Sequence, residues 1–139
     1  MESDLPGTVV IADMEAGLEH LSWAGGTLRY VDLLLIVVGP QSKVLITATR
    51  AHGLARQLGI ERIAFVGNRA RPGDEARLRE FAHSHQSQLL GVVPDDPAVA
   101  AADRFGGCPL DTAPSSPAVR AVQGLAEDLE DRYLVARPS

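Results

Sequence analysis

Four continuous apolar runs organise the chain: "TVVIAD" (8–13), "DLLLIVV" (32–38), "RIAFVGN" (62–68) and "QLLGVVP" (88–94). A strand with one wet face alternates apolar and polar positions. These runs do not alternate, which is the pattern of a parallel sheet covered by helices on both faces. Between them the apolar period lengthens to that of a helix. In "SKVLITATRAHGLARQLG" (42–59), Val44, Ala48, Ala51, Ala55 and Leu58 recur at helical spacing, and Gly59 supplies a C-terminal stop. "GDEARLREFAHSH" (73–85) carries acids in its first turn, where the helix dipole favours them. "DPAVAAADRFG" (96–106) opens with Asp96 as N-cap and Pro97 at the first helical position, and "SSPAVRAVQGLAEDLEDRYL" (115–134) opens the same way at Ser116-Pro117.

Strand–helix alternation with short links predicts an α/β fold: a mainly parallel sheet of about four strands with right-handed crossovers and helices on both faces. At 139 residues one core is expected, so residues 1–139 read as a single α/β domain. Within it, 1–6 read as a flexible N-terminus, 106–116 as a Gly/Pro/Ser-rich loop, and 116–134 as the C-terminal helix. No internal repeat is visible.

Composition narrows the class. Hydrophobic residues make up 45% and charged residues 22%, the balance of a soluble globular protein. A net charge of −5 argues against a nucleic-acid surface. The single cysteine, Cys108, excludes an internal disulfide and any C-x-x-C metal or redox motif in these residues. "MESDLPG" has neither the basic nor the apolar region of a signal peptide. "VDLLLIVVG" is far shorter than the roughly 20 residues a membrane span needs. A cytoplasmic location without membrane or nucleic-acid partners is the expectation.

Ligands of open α/β sheets bind beyond the carboxyl ends of the strands. Here those tips are Asp13–Gly17, Gly39-Pro40-Gln41, Asn68-Arg69 and Pro94-Asp95-Asp96. Two acidic tips, one amide and one Gly-Pro turn suit a magnesium–nucleotide site better than a bare anion site. Glu15 reads equally as a switch acid or a solvated one. Arg69, Arg71, Arg77 and Arg79 read as a solvated face balanced by Asp74, Glu75 and Glu80. His83 and His85 stand two apart, so a helix turns them to different faces. A frayed helix end fits them better than a metal site shared with Cys108, which reads as a free thiol.

The phrases "VVIADMEAGLEHL", "DLLLIVVGP…TA", "VGNR" and "VPDDPAVAAADRFGGCPLD", in that order over residues 8–111, resemble the deviant-Walker P-loop ATPases of the MinD/ParA class. Within that class they look most like the CooC-type ATPases, accessory to carbon monoxide dehydrogenase and linked to nickel insertion. The resemblance implies ATP or ADP and magnesium as ligands. Asp13 would hold magnesium through water at the Walker B strand. The backbone of Ala16 and Gly17 would face the γ-phosphate. Asn68 would read the adenine edge, with Pro94, Asp95 and Asp96 lining its far side. The chemistry is apt. Magnesium takes hard oxygen ligands and keeps several waters. Glycine lets backbone approach a phosphate. A carboxamide offers donor and acceptor in one plane.

One part is missing from these residues. A P-loop needs a glycine-rich turn with a Lys and a Ser/Thr, yet the only lysine, Lys43, stands in "GPQSKV". The resemblance puts the P-loop upstream, so the chain reads as the C-terminal half of such an ATPase, short or degenerate. Its expected function is a nucleotide-binding domain of the MinD/ParA/CooC kind, metallochaperone-like and bacterial, without ATP hydrolysis of its own. The alternative is a pseudo-ATPase used as an interaction or dimerisation module without nucleotide. A homodimer, a P-loop-bearing subunit and a metalloenzyme client are the partners implied.

Overall fold

The computed structural model of the chain describes residues 9–14 and 31–134. Its element order is β1 (Leu34–Val38), α1 (Ser42–Gln57), β2 (Ile63–Ala70), α2 (Asp74–Ser84), β3 (Gln88–Pro94), α3 (Pro97–Arg104), the single turn α4 (Pro109–Thr112) and α5 (Pro117–Leu129), which runs into a π-helical turn at Glu130–Leu134. The three strands form one parallel sheet in the order β1-β2-β3. Three of the four apolar runs are therefore strands, and helices stand on both faces, as their continuous pattern predicts.

The fourth run departs from expectation. Residues 9–14 carry no regular structure, and Val9, Val10 and Ile11 are exposed at 54%, 53% and 88%. The reason is one of partners. An apolar run becomes a strand only beside a ladder, because each backbone N–H and C=O must find a mate. Among the described residues β1 pairs with β2 alone, so the strand expected at 8–13 has not moved over to join it.

The core explains why the other three hold. Leu34, Ile36, Val38, Ile63, Phe65 and Gly67 are on one face, by the register that pairs Leu34 with Ile63, Ile36 with Phe65 and Val38 with Gly67. Against that face lie α1, through Leu45, Ala48 and Ala55, and α2, through Leu78 and Ala82. Phe65 and Leu78 are wholly buried. A Cβ at Gly67 would stand 2.8 Å from Leu78 Cδ1 and 3.4 Å from the Val92 methyls, so the buried Leu78 side chain would have to shift. Two successive crossovers in one direction put α1 and α2 on the same side, as right-handed βαβ units require. The opposite face is covered by α5, which packs on β3 and brings Leu125 against Gly91.

Aromatic packing ties α1 to α2 at the back of the sheet. His52, only 8% exposed, stacks on Phe65 with ring centroids 5.7 Å apart. Phe65 meets Phe81 edge-on at 5.2 Å, and Phe81 meets His85 at 4.3 Å. His85 is the C-cap of α2. Its Nδ1 donates to the Phe81 carbonyl at 2.8 Å, and its Nε2 faces the Thr49 hydroxyl at 2.9 Å. The expectation of a frayed helix end is thus corrected for His85: its ring is pinned by two helices. Burial, then the positive charges of His85 and Arg56, hold the His52 imidazole below its ordinary pKa.

Candidate functional site

The carboxyl ends of β1, β2 and β3 share one rim. At β1 the chain leaves through Gly39-Pro40-Gln41 into α1, whose N-cap Gln41 gives the helix no side-chain cap. A Cβ on Gly39 would collide with Gln41 Oε1 and come within 3.7 Å of the Asn68 carbonyl. Glycine here therefore leaves room for the Gln41 carboxamide beside the turn.

At β2 the ladder shifts register between Gly67 and Ala70, so Asn68 and Arg69 form a bulge. Bulges re-aim side chains at strand ends. Arg69 takes a left-handed backbone, φ 54°, which is uncommon for a non-glycine residue and collects at functional positions. Asn68 is exposed, and its Oδ1 accepts from the Arg69 N–H at 3.0 Å. One carbonyl lone pair and the amide NH2 stay available to a ligand.

At β3 the tip is tied to β2 by Asp95 N–H donating to Ala70 O at 2.9 Å. Arg69 Nε and Asp95 Oδ1 stand 3.9 Å apart with both side chains largely exposed, a pair of little energetic weight. Asp96 is built differently. Its Oδ1 accepts from Ala98 N at 2.9 Å and its Oδ2 from Ala118 N at 3.0 Å. One carboxylate thereby caps α3 and reaches the first turn of α5, where Ser116 is the N-cap. The Ala118 N–H first, and the Ala98 N–H second, hold its carboxyl below its ordinary pKa; the Ser116 hydroxyl adds to this, against an upward push from partial burial. Both oxygens of Asp96 thus hold backbone N–H groups at the helix starts.

The fold gathers Asn68, Pro94, Asp95 and Asp96 on this rim and adds Gln41 and Arg69, which sequence reasoning did not assign. The signal for Arg69 was its place after a strand-terminal asparagine; nothing local announced its left-handed backbone. Asp13 is exposed in the unpaired segment and makes no hydrogen bond or ion pair among the described residues. Glu15, Ala16 and Gly17 lie outside the described residues. Of the α2 arginines, Arg79 pairs with Glu75 at 2.6 Å, and Arg77 donates to the Ser42 hydroxyl at 3.1 Å.

No group of three His, Cys, Asp or Glu among the described residues could hold a metal. One exposed carboxylate at Asp13 does not make a magnesium site by itself; its other ligands would have to come from phosphate and water. No helix among the described residues is long and apolar enough to cross a membrane.

This arrangement belongs to a known class. The fold matches the MinD cell division protein of Aquifex aeolicus with a TM-score of 0.68 at 19% identity, over 88% of this chain and 50% of that one. It matches the cell division ATPase MinD of Pyrococcus furiosus with a TM-score of 0.67 at 26% identity, over 86% of this chain and 50% of that one. The architecture is that of a MinD-like P-loop NTPase. In sequence the chain is 44% identical over 107 residues to the carbon monoxide dehydrogenase accessory protein CooC of Rhodospirillum rubrum, covering 76% of this chain and 39% of that protein. It is 40% identical over 99 residues to an uncharacterised ATP-binding protein of Methanocaldococcus jannaschii, covering 70% of this chain and 38% of that protein. No protein-family model matches. The chain is homologous to ATPases of the MinD/ParA type, CooC among them, and spans less than half the length of the curated relatives it matches.

Proposed function

We propose that these residues form the base-binding half of an ATP-binding domain of the CooC/MinD kind. The observation that carries this reading is the shared rim of β2 and β3, where a bulge turns out Asn68 beside the Pro94–Asp96 loop on a MinD-like sheet. Asn68 reads the adenine edge and the 94–96 loop lines its far side. The backbone of Ala16 and Gly17 faces the γ-phosphate, and Asp13 holds magnesium through water. A MinD of Pyrococcus horikoshii has been solved with Mg-ADP, which supports the ligand class. The work is done in the cytoplasm.

Hydrolysis is not expected from these residues alone. Phosphoryl transfer on P-loop folds relies on loop amides, a lysine and magnesium to balance charge. No G-x-x-x-x-G-K-[ST] occurs here, and Lys43 lies exposed on α1. Each missing stabiliser costs about a hundredfold or more in rate. The similarity to CooC supports a nickel-linked, metallochaperone role with a metalloenzyme client, and a MinD solved together with MinC supports protein partners, as homodimer or with a P-loop-bearing subunit. The second reading, an interaction module without nucleotide, draws on Asp96, whose carboxylate is spent on helix caps. Calorimetric titration with ATP and magnesium separates the two: a saturable signal weakened by Asn68→Ala supports the first, and no heat at millimolar ligand supports the second. Steady phosphate release abolished by Asp13→Ala would refute the claim of no turnover.

A further inference from the structure

We propose that Arg69 is a positioning residue for base choice: its left-handed backbone locks the Asn68 carboxamide in one orientation, so that the rim accepts adenine and refuses guanine. The inference rests on the base-binding reading above and adds to it how one purine is chosen over the other.

The lock begins with the ladder. Gly67 pairs with Val92 and Ala70 with Pro94, so three steps along β2 meet two along β3. The surplus residue has to leave the strand path, as at any bulge. Pairing is fastened again just beyond, where Asp95 N–H donates to Ala70 O at 2.9 Å. Held at both ends, the excursion places Arg69 at φ 54°. The guanidinium does not account for that conformation. Arg69 Nε and Asp95 Oδ1 stand 3.9 Å apart with 79% and 47% of their side chains exposed, too weak a pair to hold a backbone.

What the conformation does is aim an N–H. Arg69 N donates to Asn68 Oδ1 at 3.0 Å. A carboxamide has two ends of similar shape, one accepting and one donating. A backbone N–H can only donate, so the oxygen must be the end beside it. Turning the carboxamide over would set its NH2 against that N–H, donor against donor. A bound base would shut out the water that could otherwise repair the loss.

Orientation matters because the purines differ in this same respect. Adenine carries an amine, a donor, at the position where guanine carries a carbonyl, an acceptor. A carboxamide free to turn over satisfies either base by presenting its other end. One that is locked presents a single order of donor and acceptor, through the second lone pair of Oδ1 and the NH2. It therefore matches one base, and the other is left with like groups facing each other, a mismatch that discriminates strongly.

The test is a pair of titrations of the isotope-labelled chain, with ADP and with GDP, read from the Asn68 and Asp95 amide shifts. Wild type should favour ADP by about tenfold or more. Arg69→Val keeps the N–H, but a β-branched side chain resists the left-handed region, and the preference should vanish. Arg69→Gly deletes the guanidinium yet enters that region freely; it should weaken both nucleotides alike and keep the ratio. Melting curves check that each variant is folded, and Arg69→Ala, less strained than Arg69→Val, should give an intermediate ratio. Without nucleotide, nitrogen relaxation should show the Asn68 NH2 group rigid in wild type and Arg69→Gly, and mobile in Arg69→Val. A preference that survives Arg69→Val overturns the proposal. So does one lost equally in Arg69→Gly, which would assign the choice to the guanidinium. Equal binding of ADP and GDP by wild type refutes this inference alone, whereas binding of neither refutes the base-binding reading and this inference with it.

Discussion

The two ends of the sheet contrast. At the β2–β3 end the core is closed: Phe65 and Leu78 are fully buried, Gly67 admits Leu78, and Asp96 fastens two helices to the rim. At the β1 end, among the described residues, an equally apolar strand stands with one ladder and the run at 9–11 has none. The same sequence grammar yields order at one end and exposed surface at the other. Apolar pattern says that a run wants burial; only the rest of the molecule says whether burial is on offer.

The contrast can be tested by substitution, with the largest effect at the closed end. Phe65→Ala removes the ring on which His52, Phe81 and His85 pack and should cost about 3–5 kcal/mol, read as a fall in the urea midpoint. A loss below 1 kcal/mol would mean that the sheet is not held from this side.

Asp96→Ala should come next, lowering the melting temperature by several degrees, because two helices lose a backbone acceptor at once. Asp96→Asn should recover only part of the loss, since its amide keeps one acceptor oxygen and turns an NH2 donor toward the second backbone N–H. The acid dependence has a defined sign. The carboxyl is held below its ordinary value of 3.8, so its contribution is present above that pH and is lost as pH falls through the folded-state value. Asp96→Asn should flatten the stability curve below about pH 4; an unchanged curve would contradict the double cap.

A smaller effect is expected from His52. Its folded pKa is lowered, so protonation opposes folding: stability is complete above the ordinary value of 6.5 and declines as pH falls below it. Denaturation at pH 7.5 and pH 5.5 should show a drop that His52→Gln reduces. A wild type more stable at the lower pH would reverse the assignment. The smallest effect belongs to the open end, where Val37→Ala should change the stability of the isolated chain by less than about 0.5 kcal/mol. A core-sized loss would show that β1 is already covered.

Much of this was legible in the residues, and the rest was not for identifiable reasons. "DLLLIVV", "RIAFVGN" and "QLLGVVP" became strands because each found a neighbour only a crossover away. Asp96-Pro97 and Ser116-Pro117 started helices because N-capping is local chemistry. "TVVIAD" failed because its ladder is not local. That Asp96 also reaches Ala118 joins positions 22 apart and has no local signal. His52 looked like one polar residue among the alanines of a helix, and only the fold reveals that it stacks on Phe65. At the site, Asn68 and the 94–96 loop were visible as polar strand ends, while the left-handed Arg69 emerged only from the bulge.

The central claim is that the rim of β2 and β3 receives an adenine nucleotide. Amide chemical-shift mapping of the isotope-labelled chain with ADP, up to millimolar concentration, tests it most directly. Saturable shifts centred on Asn68, Arg69 and Asp95, and lost with Asn68→Ala, are the predicted result. An unperturbed rim, or shifts confined to the far end of the sheet around His83 and Arg132, would contradict it.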